Sequence, residues 1–312
     1  MNLSLSSKNT LDALSDVLGI VGARLVRRTR LEASGTWAFS YPGGPRLKFV
    51  ALLRGQCWML LPGQSPLSMA EGDVFLLGDT TYVVANDPDT PAVDGAPLYA
   101  DPNCDVARIG TGRDTVLLGG GLAFDGDASF VLESLPTFFH VDRGTPAASA
   151  VARTLALIEA EVTDDRPGAS LVTTRLVEVL LVEALRAFMA TAGEDRVGWL
   201  TALGDRRIGG ALKLMHSDVA HPWTVNELAS RVGMSRSSFS SHFSARVGRP
   251  PLDYLIRWRM LLAQHLLERG RMSVAAVALE VGYDSQSAFT HAFKRVVGDT
   301  PRGAARNRGT RP

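Results

Sequence analysis

Cysteine is nearly absent from this 312-residue chain, with only Cys57 and Cys104 present. Two thiols build no disulfide framework, so a reducing compartment, the cytoplasm, is expected. Histidine is as scarce where a metalloenzyme would need it: of six in the chain, only His140 precedes residue 216. Metal-dependent barrels converge two or three imidazoles and a carboxylate on one ion. The stretch Phe49–Trp58 holds no histidine, and Tyr82-Val83 stands where a late ligand would be sought. No metal, no other cofactor and no catalytic residues are therefore expected, and His140 reads as a packed or surface side chain. A phosphate-cradling loop and a nucleophile elbow are missing too. Gly119-Gly120-Gly121 lies among strand-forming residues and reads as a bend or a close backbone approach. No apolar run reaches 18 residues, so no membrane-spanning helix is expected. The opening MNLSLSSKNTLDALSDVLG has no basic segment followed by an apolar one, and no secretory signal is read there.

What is present is enough apolar residue, 46%, for well-formed cores, together with an uneven distribution of charge. The formal net charge is only +1, yet residues 203–312 carry 17 Lys and Arg against 8 Asp and Glu, a net of +9, while the preceding residues net −8. A basic end on an acidic body points to a polyanionic partner for that end alone; a solvated basic tail is the other reading.

From about residue 22 to 140 the apolar stretches are short: Phe49–Leu53, Trp58–Leu61, Val74–Leu77 and Val116–Leu118. Turn signals such as Pro62-Gly63, Glu71-Gly72-Asp73 and Asp101-Pro102-Asn103 separate them, the pattern of a β-sandwich or barrel. Two helices follow, over 147–162 and 169–192. The second carries a wide apolar stripe at Val177, Leu181, Ala184 and Phe188, with Leu180 and Leu185 beside it. That stripe suits either a core helix or a surface shared with a partner chain. The expected division is a barrel over 1–146, a helical segment over 147–192, a linker over 193–204 and an all-α domain over 205–312.

The basic end repeats itself at a period of about 50 residues. Val225, Leu228, Ala229, Val232 and Gly233 match Val274, Val277, Ala278, Val281 and Gly282; Phe239, Phe243, Gly248 and Pro251 then match Phe289, Phe293, Gly298 and Pro301 after one inserted residue. Each copy reads as helix-turn-helix. Thr224 followed by Glu227 forms a capping box, Gly233 and Gly282 end the first helices, and Ser235 and Asp284 cap the second ones. Paired phenylalanines at i, i+4 anchor the second helix of each copy inward. The opposite face shows Arg236, Ser237, Ser240 and Ser241 in one copy and Gln286, Ser287, Thr290 and His291 in the other. Such residues suit base edges, while Lys294 and Arg295 suit phosphates.

WTVNELASRVGMSRSSFSSHF, the helix PLDYLIRWRMLLAQHLL and GYDSQSAFTHAFKRVVGDTP resemble the AraC/XylS family of bacterial transcription regulators. The resemblance covers residues 205–305. It implies two recognition helices in successive major-groove segments of double-stranded operator DNA, held in register by the helix from Leu252 to about Glu268. AEGDVFLLGDTTYVV and SLPTFFHV resemble the cupin-type sensor domains found ahead of this module. The fold class implied is α+β in two domains: an antiparallel cupin-like barrel followed by helices, then an all-α double helix-turn-helix. A small-molecule effector, a homodimer formed by the helical segment and RNA polymerase are the implied partners, with no membrane partner. Trp37, Phe49, Trp58 and Tyr82 are the aromatic candidates for an effector pocket, unless they simply fill the barrel. Two alternatives stay open: oxidant sensing by Cys57 and Cys104, and an enzyme carrying an appended DNA-binding domain, although no titratable cluster can be assembled before residue 190.

Overall fold

Short strands between turns form as the residue pattern demands, in a computed structural model that describes residues 12–44, 46–102, 104–124, 132–133, 135–145, 148–164, 166–191, 193 and 196–306. The expected helix ends at Ala147 and Ala192, the linker residues Glu194 and Asp195 and the last six basic-end residues lie outside these. The described chain divides into two units. One takes residues within 23–123 and 135–191; the other takes those within 12–22, 124–133 and 193–306.

The first unit holds two sheets. β1 (Ala23–Ala33), β3 (Leu47–Arg54), β6 (Val74–Leu77), β9 (Val106–Ile109), β10 (Thr115–Phe124) and β11 (Phe138–Val141) form a six-stranded sheet ordered β11-β6-β3-β10-β1-β9. β2 (Ala38–Tyr41), β4 (Gln56–Leu60), β5 (Leu67–Ala70), β7 (Tyr82–Ala85) and β8 (Val93–Asp94) form a five-stranded sheet ordered β5-β4-β7-β2-β8. Most pairs are antiparallel, as the fold class requires, but the edge pairs β1–β9 and β2–β8 run parallel. Between the sheets sits an apolar core that includes Leu31, Val50, Leu52, Met59, Phe75 and Val84. Two helices, α2 (Ala148–Asp164) and α3 (Ala169–Thr191), pack against β1, β3 and β11 of the larger sheet. A strand buried on both faces loses the apolar–polar alternation, which is why all of β3 but Lys48 and Arg54 is buried.

The α3 stripe resolves in favour of the core. Val177, Leu180, Leu181, Ala184, Leu185 and Phe188 are all buried within the single chain, with Phe188 edge-on to Phe139 of β11 at 4.9 Å. These side chains are therefore not a surface shared with a partner; the exposed large apolar residues of the pair are Leu157, Leu171, Val172 and Val179.

The second unit contains α1 (Ala13–Val21), α4 (Trp199–Ala202), α5 (Arg206–Ser217), α6 (Val225–Arg231), α7 (Arg236–Val247), α8 (Pro251–Arg269), α9 (Val274–Glu280), α10 (Gln286–Val297) and α11 (Pro301–Arg306). Sequence patterning did not anticipate α1, nor that residues 12–22 join the helical unit instead of the barrel. α1 starts at Asp12, whose carboxylate accepts from Ser15 N–H at 3.0 Å, and packs on α5 and α8. Its Asp16 Oδ2 lies 3.7 Å from His216 Nδ1 on α5. His216 is itself buried, stacked on Trp258 at 4.0 Å between ring centroids and hydrogen-bonded through Nε2 to the Tyr254 hydroxyl at 2.7 Å.

Candidate nucleic-acid interface and effector cavity

Both copies of the repeat fold as helix-turn-helix, α6–α7 and α9–α10, with α8 between them. Local chemistry sets each helix start. The Thr224 and Ser235 hydroxyls accept from Glu227 and Ser238 N–H at 3.1 and 3.2 Å, and Ser273 does the same for α9. Two details depart from expectation. Glu227 does not close the capping box; its carboxylate turns to His221 at 3.0 Å and Arg231 at 3.5 Å. In the second copy Ser285, not Asp284, caps α10, because the inserted residue shifts the helix start by one.

Phe239, Phe243, Phe289 and Phe293 are fully buried, anchoring α7 and α10 by one face. The opposite faces lie where expected. Arg236, Ser237 and Ser241 are exposed and Ser240 is half-buried, all within the first three turns of α7. Gln286, Ser287 and His291 are exposed on α10; Thr290 is half-buried and its hydroxyl donates to the Gln286 carbonyl at 2.8 Å. Lys294 and Arg295 follow, exposed, their side chains in no ion pair or hydrogen bond among the described residues. The glycine in the second turn answers to a tight approach: Gly282 has φ +78°, and a Cβ there would lie 2.5 Å from the Ala220 carbonyl oxygen. Arg259 of α8 ties the same place together, donating to the Val219 and His221 carbonyls at 2.9 and 2.8 Å with its guanidinium over the Tyr283 ring.

The barrel is not packed solid throughout. A cavity of about 320 Å³ opens between the sheets, lined by β1, β2, β3, β7 and β10. Of the four aromatic candidates only Tyr82 lines it. Trp37 is buried in the core, stacked with Phe39 at 6.2 Å. Phe49 and Trp58 sit one residue out of phase with the interior: Lys48, Val50, Cys57 and Met59 face inward, so Phe49 points to the other face of its sheet and Trp58, half-buried, to the outside. Residues not anticipated, Tyr41, Tyr99, Arg46 and Lys48, complete the wall. The three glycines of β10 line it too. Leu117 faces the cavity, so Gly119 and Gly121 would also project there, and their missing side chains leave the space open. Gly120 meets the expectation of a close approach, since a Cβ there would lie 2.5 Å from the Phe49 ring.

No group of three His, Cys, Asp or Glu among the described residues is placed to hold a metal ion. His140 packs on Phe75 with centroids 4.3 Å apart. Cys57 and Cys104 are both free thiols. Burial pushes the Cys57 thiol up to about 12, and the Cys104 thiol donates to the Val106 carbonyl at 3.3 Å.

Comparison with known proteins agrees with this architecture. A cupin family model matches residues 12–190 and a helix-turn-helix domain model matches residues 228–307. An AraC-like transcription regulator of Streptomyces antibioticus is 39% identical over 294 residues, 93% of this chain and 97% of its own. Another from Streptomyces lividans is 38% identical over 305 residues, 97% of this chain and 100% of its own. The solved DNA-binding domain of AdpA, a global transcriptional factor in complex with a target DNA, is 34% identical; the match covers 35% of this chain and 97% of that one, with a TM-score of 0.33. These relatives are regulators and not enzymes, and the chain belongs to the AraC-like family of DNA-binding transcription regulators, with a cupin domain ahead of a double helix-turn-helix.

Proposed function

We propose that the protein is a cytoplasmic, effector-responsive regulator whose barrel cavity binds a small molecule without metal and thereby alters operator binding. One observation carries the reading. β1 supplies Val26, Arg27, Thr29 and Leu31 to the cavity wall, and through Gly22 it continues directly into α1, which rests on α5 and α8 of the DNA-binding unit. A ligand that biases β1 thus has a covalent route to the helices that position α7 and α10. Arg236, Ser237, Ser240, Ser241, Gln286, Ser287, Thr290 and His291 read bases in this scheme, and Lys294 and Arg295 grip phosphate. The buried, thiolate-disfavouring setting of Cys57 supports the cavity over thiol oxidation as the sensing element.

Genome-wide mapping of bound DNA supplies the operator. Operator affinity of the full-length protein is then measured with each compound that raises its melting temperature. A compound expected to be the effector changes both; binders that all leave operator affinity untouched would sink the effector reading. Homodimerisation and contact with RNA polymerase complete the proposal, with Leu157, Leu171, Val172 and Val179 as the dimer surface. Leu171→Glu should then give folded monomer in sedimentation, and an unchanged dimer would place the interface elsewhere.

A further inference from the structure

We infer that the cavity ligand is a small organic carboxylate with an apolar body, its carboxylate held by Lys48 and Arg46. The inference rests on the reading that the barrel holds an effector. Leu31, Val50, Val84 and Leu117 give the cavity an apolar wall. Arg46 and Lys48 enter it from the start of β3, and Lys48 Nζ stands 5.7 Å from the centroid of the Tyr82 ring, itself stacked on Tyr41 at 5.2 Å.

These two cations differ from four arginines of the same unit. Arg30, Arg108 and Arg113 converge on the buried Glu32 carboxylate at 2.9, 3.2 and 3.0 Å. Arg27, which also lines the cavity, is saturated by Asp105 at 3.2 Å and by the Tyr99, Asp101 and Cys104 carbonyls. Lys48 makes a single hydrogen bond, to the Pro42 carbonyl at 2.6 Å, which leaves two of its N–H groups available. Asp79 acts on it only electrostatically, against the burial that lowers its pKa. Among the described residues Arg46 makes no ion pair or hydrogen bond and no carboxylate lines the cavity.

The phenols do not replace that counter-charge. Burial pushes Tyr41 up to about 12 and Tyr82 and Tyr99 further, so all three stay neutral and offer hydroxyls. Tyr99 donates to the Arg30 carbonyl at 3.2 Å, whereas the Tyr82 hydroxyl has no hydrogen-bond partner among the described residues. A neutral ligand would cover the half-buried Lys48 ammonium without compensating it, which is costly, and would leave the exposed Arg46 at the mouth unused. A carboxylate accepts from both and from Tyr82, in charge-assisted bonds about twice as strong as neutral ones. The cavity, about 320 Å³, lies at the small end of ligand sites, which favours a medium-chain or phenyl-substituted acid over a long lipid.

Calorimetric titration of the full-length protein with octanoate, 4-phenylbutyrate and their neutral amides, octanamide and 4-phenylbutanamide, tests this. At least one acid should bind about tenfold more tightly than its amide. Lys48→Met and Arg46→Gln should each remove that preference and leave amide binding unchanged, while Lys48→Arg keeps it; melting curves check that each variant folds. Gly121→Leu, whose side chain enters open space in the cavity, should abolish binding of acid and amide alike. Equal affinity for acid and amide, lost in Gly121→Leu, would overturn the carboxylate assignment and leave the effector cavity standing. Acid binding that survives Gly121→Leu would overturn the inference by placing the ligand elsewhere. No binding by any of the four would overturn the ligand class, while the effector reading stands or falls by the operator-affinity measurement.

Discussion

The two helix-turn-helix copies share a skeleton but not a surface. Each buries two phenylalanines four residues apart and closes its second helix on a left-handed glycine, Gly248 or Gly298. In the first copy three charged or titratable side chains of α6 and α7 are engaged with the protein. His242 bonds Asp205 at 2.8 Å, Arg246 lies 3.9 Å from the same carboxylate, and Arg231 reaches Glu227 at 3.5 Å. Asp205 also caps α5, and hydrogen bonds from Ile208 and Arg207 N–H and from His242 hold its carboxyl below the usual range despite the opposing effect of burial. In the second copy Lys294 and Arg295 extend without an ion pair or hydrogen bond among the described residues, beside a face that carries a glutamine and a histidine. The same fold thus engages His242 and Arg246 of one copy within the protein and leaves Lys294 and Arg295 of the other exposed.

The largest expected effect tests the shared skeleton. Phe243→Ala and Phe293→Ala each remove a fully buried ring and should each cost about 3–5 kcal/mol of unfolding free energy in denaturant titrations. Similar losses would support equivalent cores; a near-neutral variant in either copy would show that its anchor is not shared. The turn glycines should separate the copies. Both have positive φ, worth about 1–2 kcal/mol to any other residue, but Gly233 faces open space and Gly282 faces Ala220. Gly282→Ala should therefore be the more damaging, and equal costs would mean that the Ala220 segment yields freely.

How much of this was legible in the sequence follows from how local each signal is. The repeat, its caps and its phenylalanine pairs depend on neighbours within one or two turns, and the structure has them nearly in place. Ser285 against Asp284 was missed because two good caps stand side by side and the insertion shifts the frame. Of the pocket aromatics Tyr82 lines the cavity and Trp37 packs in the core, while Phe49 and Trp58 fall to a register rule: one residue of phase decides which face a strand side chain takes. The glycine run reads in the sequence as a bend or a close backbone approach, but a run of missing side chains on an inward strand also makes room. α1 was missed altogether, since its nine residues find their partners near His216 and Tyr254, some two hundred positions away.

Specific readout should show the next largest difference. Gln286 is exposed at the start of α10 and can pair bidentately with adenine, so Gln286→Ala should cost about 1–3 kcal/mol of discrimination at one base pair in binding-site selection. Ser240→Ala, half-buried on α7 with one hydroxyl to offer, should cost less. A reversed order would transfer the main reading role to the first copy.

The packing of α1, α5 and α8 beside the first copy should also carry a pH response that the interface itself does not create. Burial lowers the His216 pKa below 6.5, with Asp16 opposing it, so the folded state holds the imidazole neutral. The unfolded chain then binds more protons as pH falls through about 6.5, and the stability of the helical unit should decline from there toward the lower folded pKa. His216→Gln should flatten that decline in melting curves taken between about pH 7 and 5. An unchanged slope would mean that other groups set the acid sensitivity.

The smallest effect bears most directly on the contrast in charge. Each phosphate contact contributes about 0.9 to the slope of log affinity against log salt. Lys294→Ala should reduce that slope by about one for every operator alike, because a phosphate contact carries no sequence information. Arg246→Ala removes a charge of the same sign, but one already beside Asp205, so it should leave the slope unchanged while lowering the stability of the helical unit. Equal slope changes in the two variants would show that Arg246 leaves Asp205 for DNA on binding, and the division between a structural and a contacting set of cations would then hold only in the free protein.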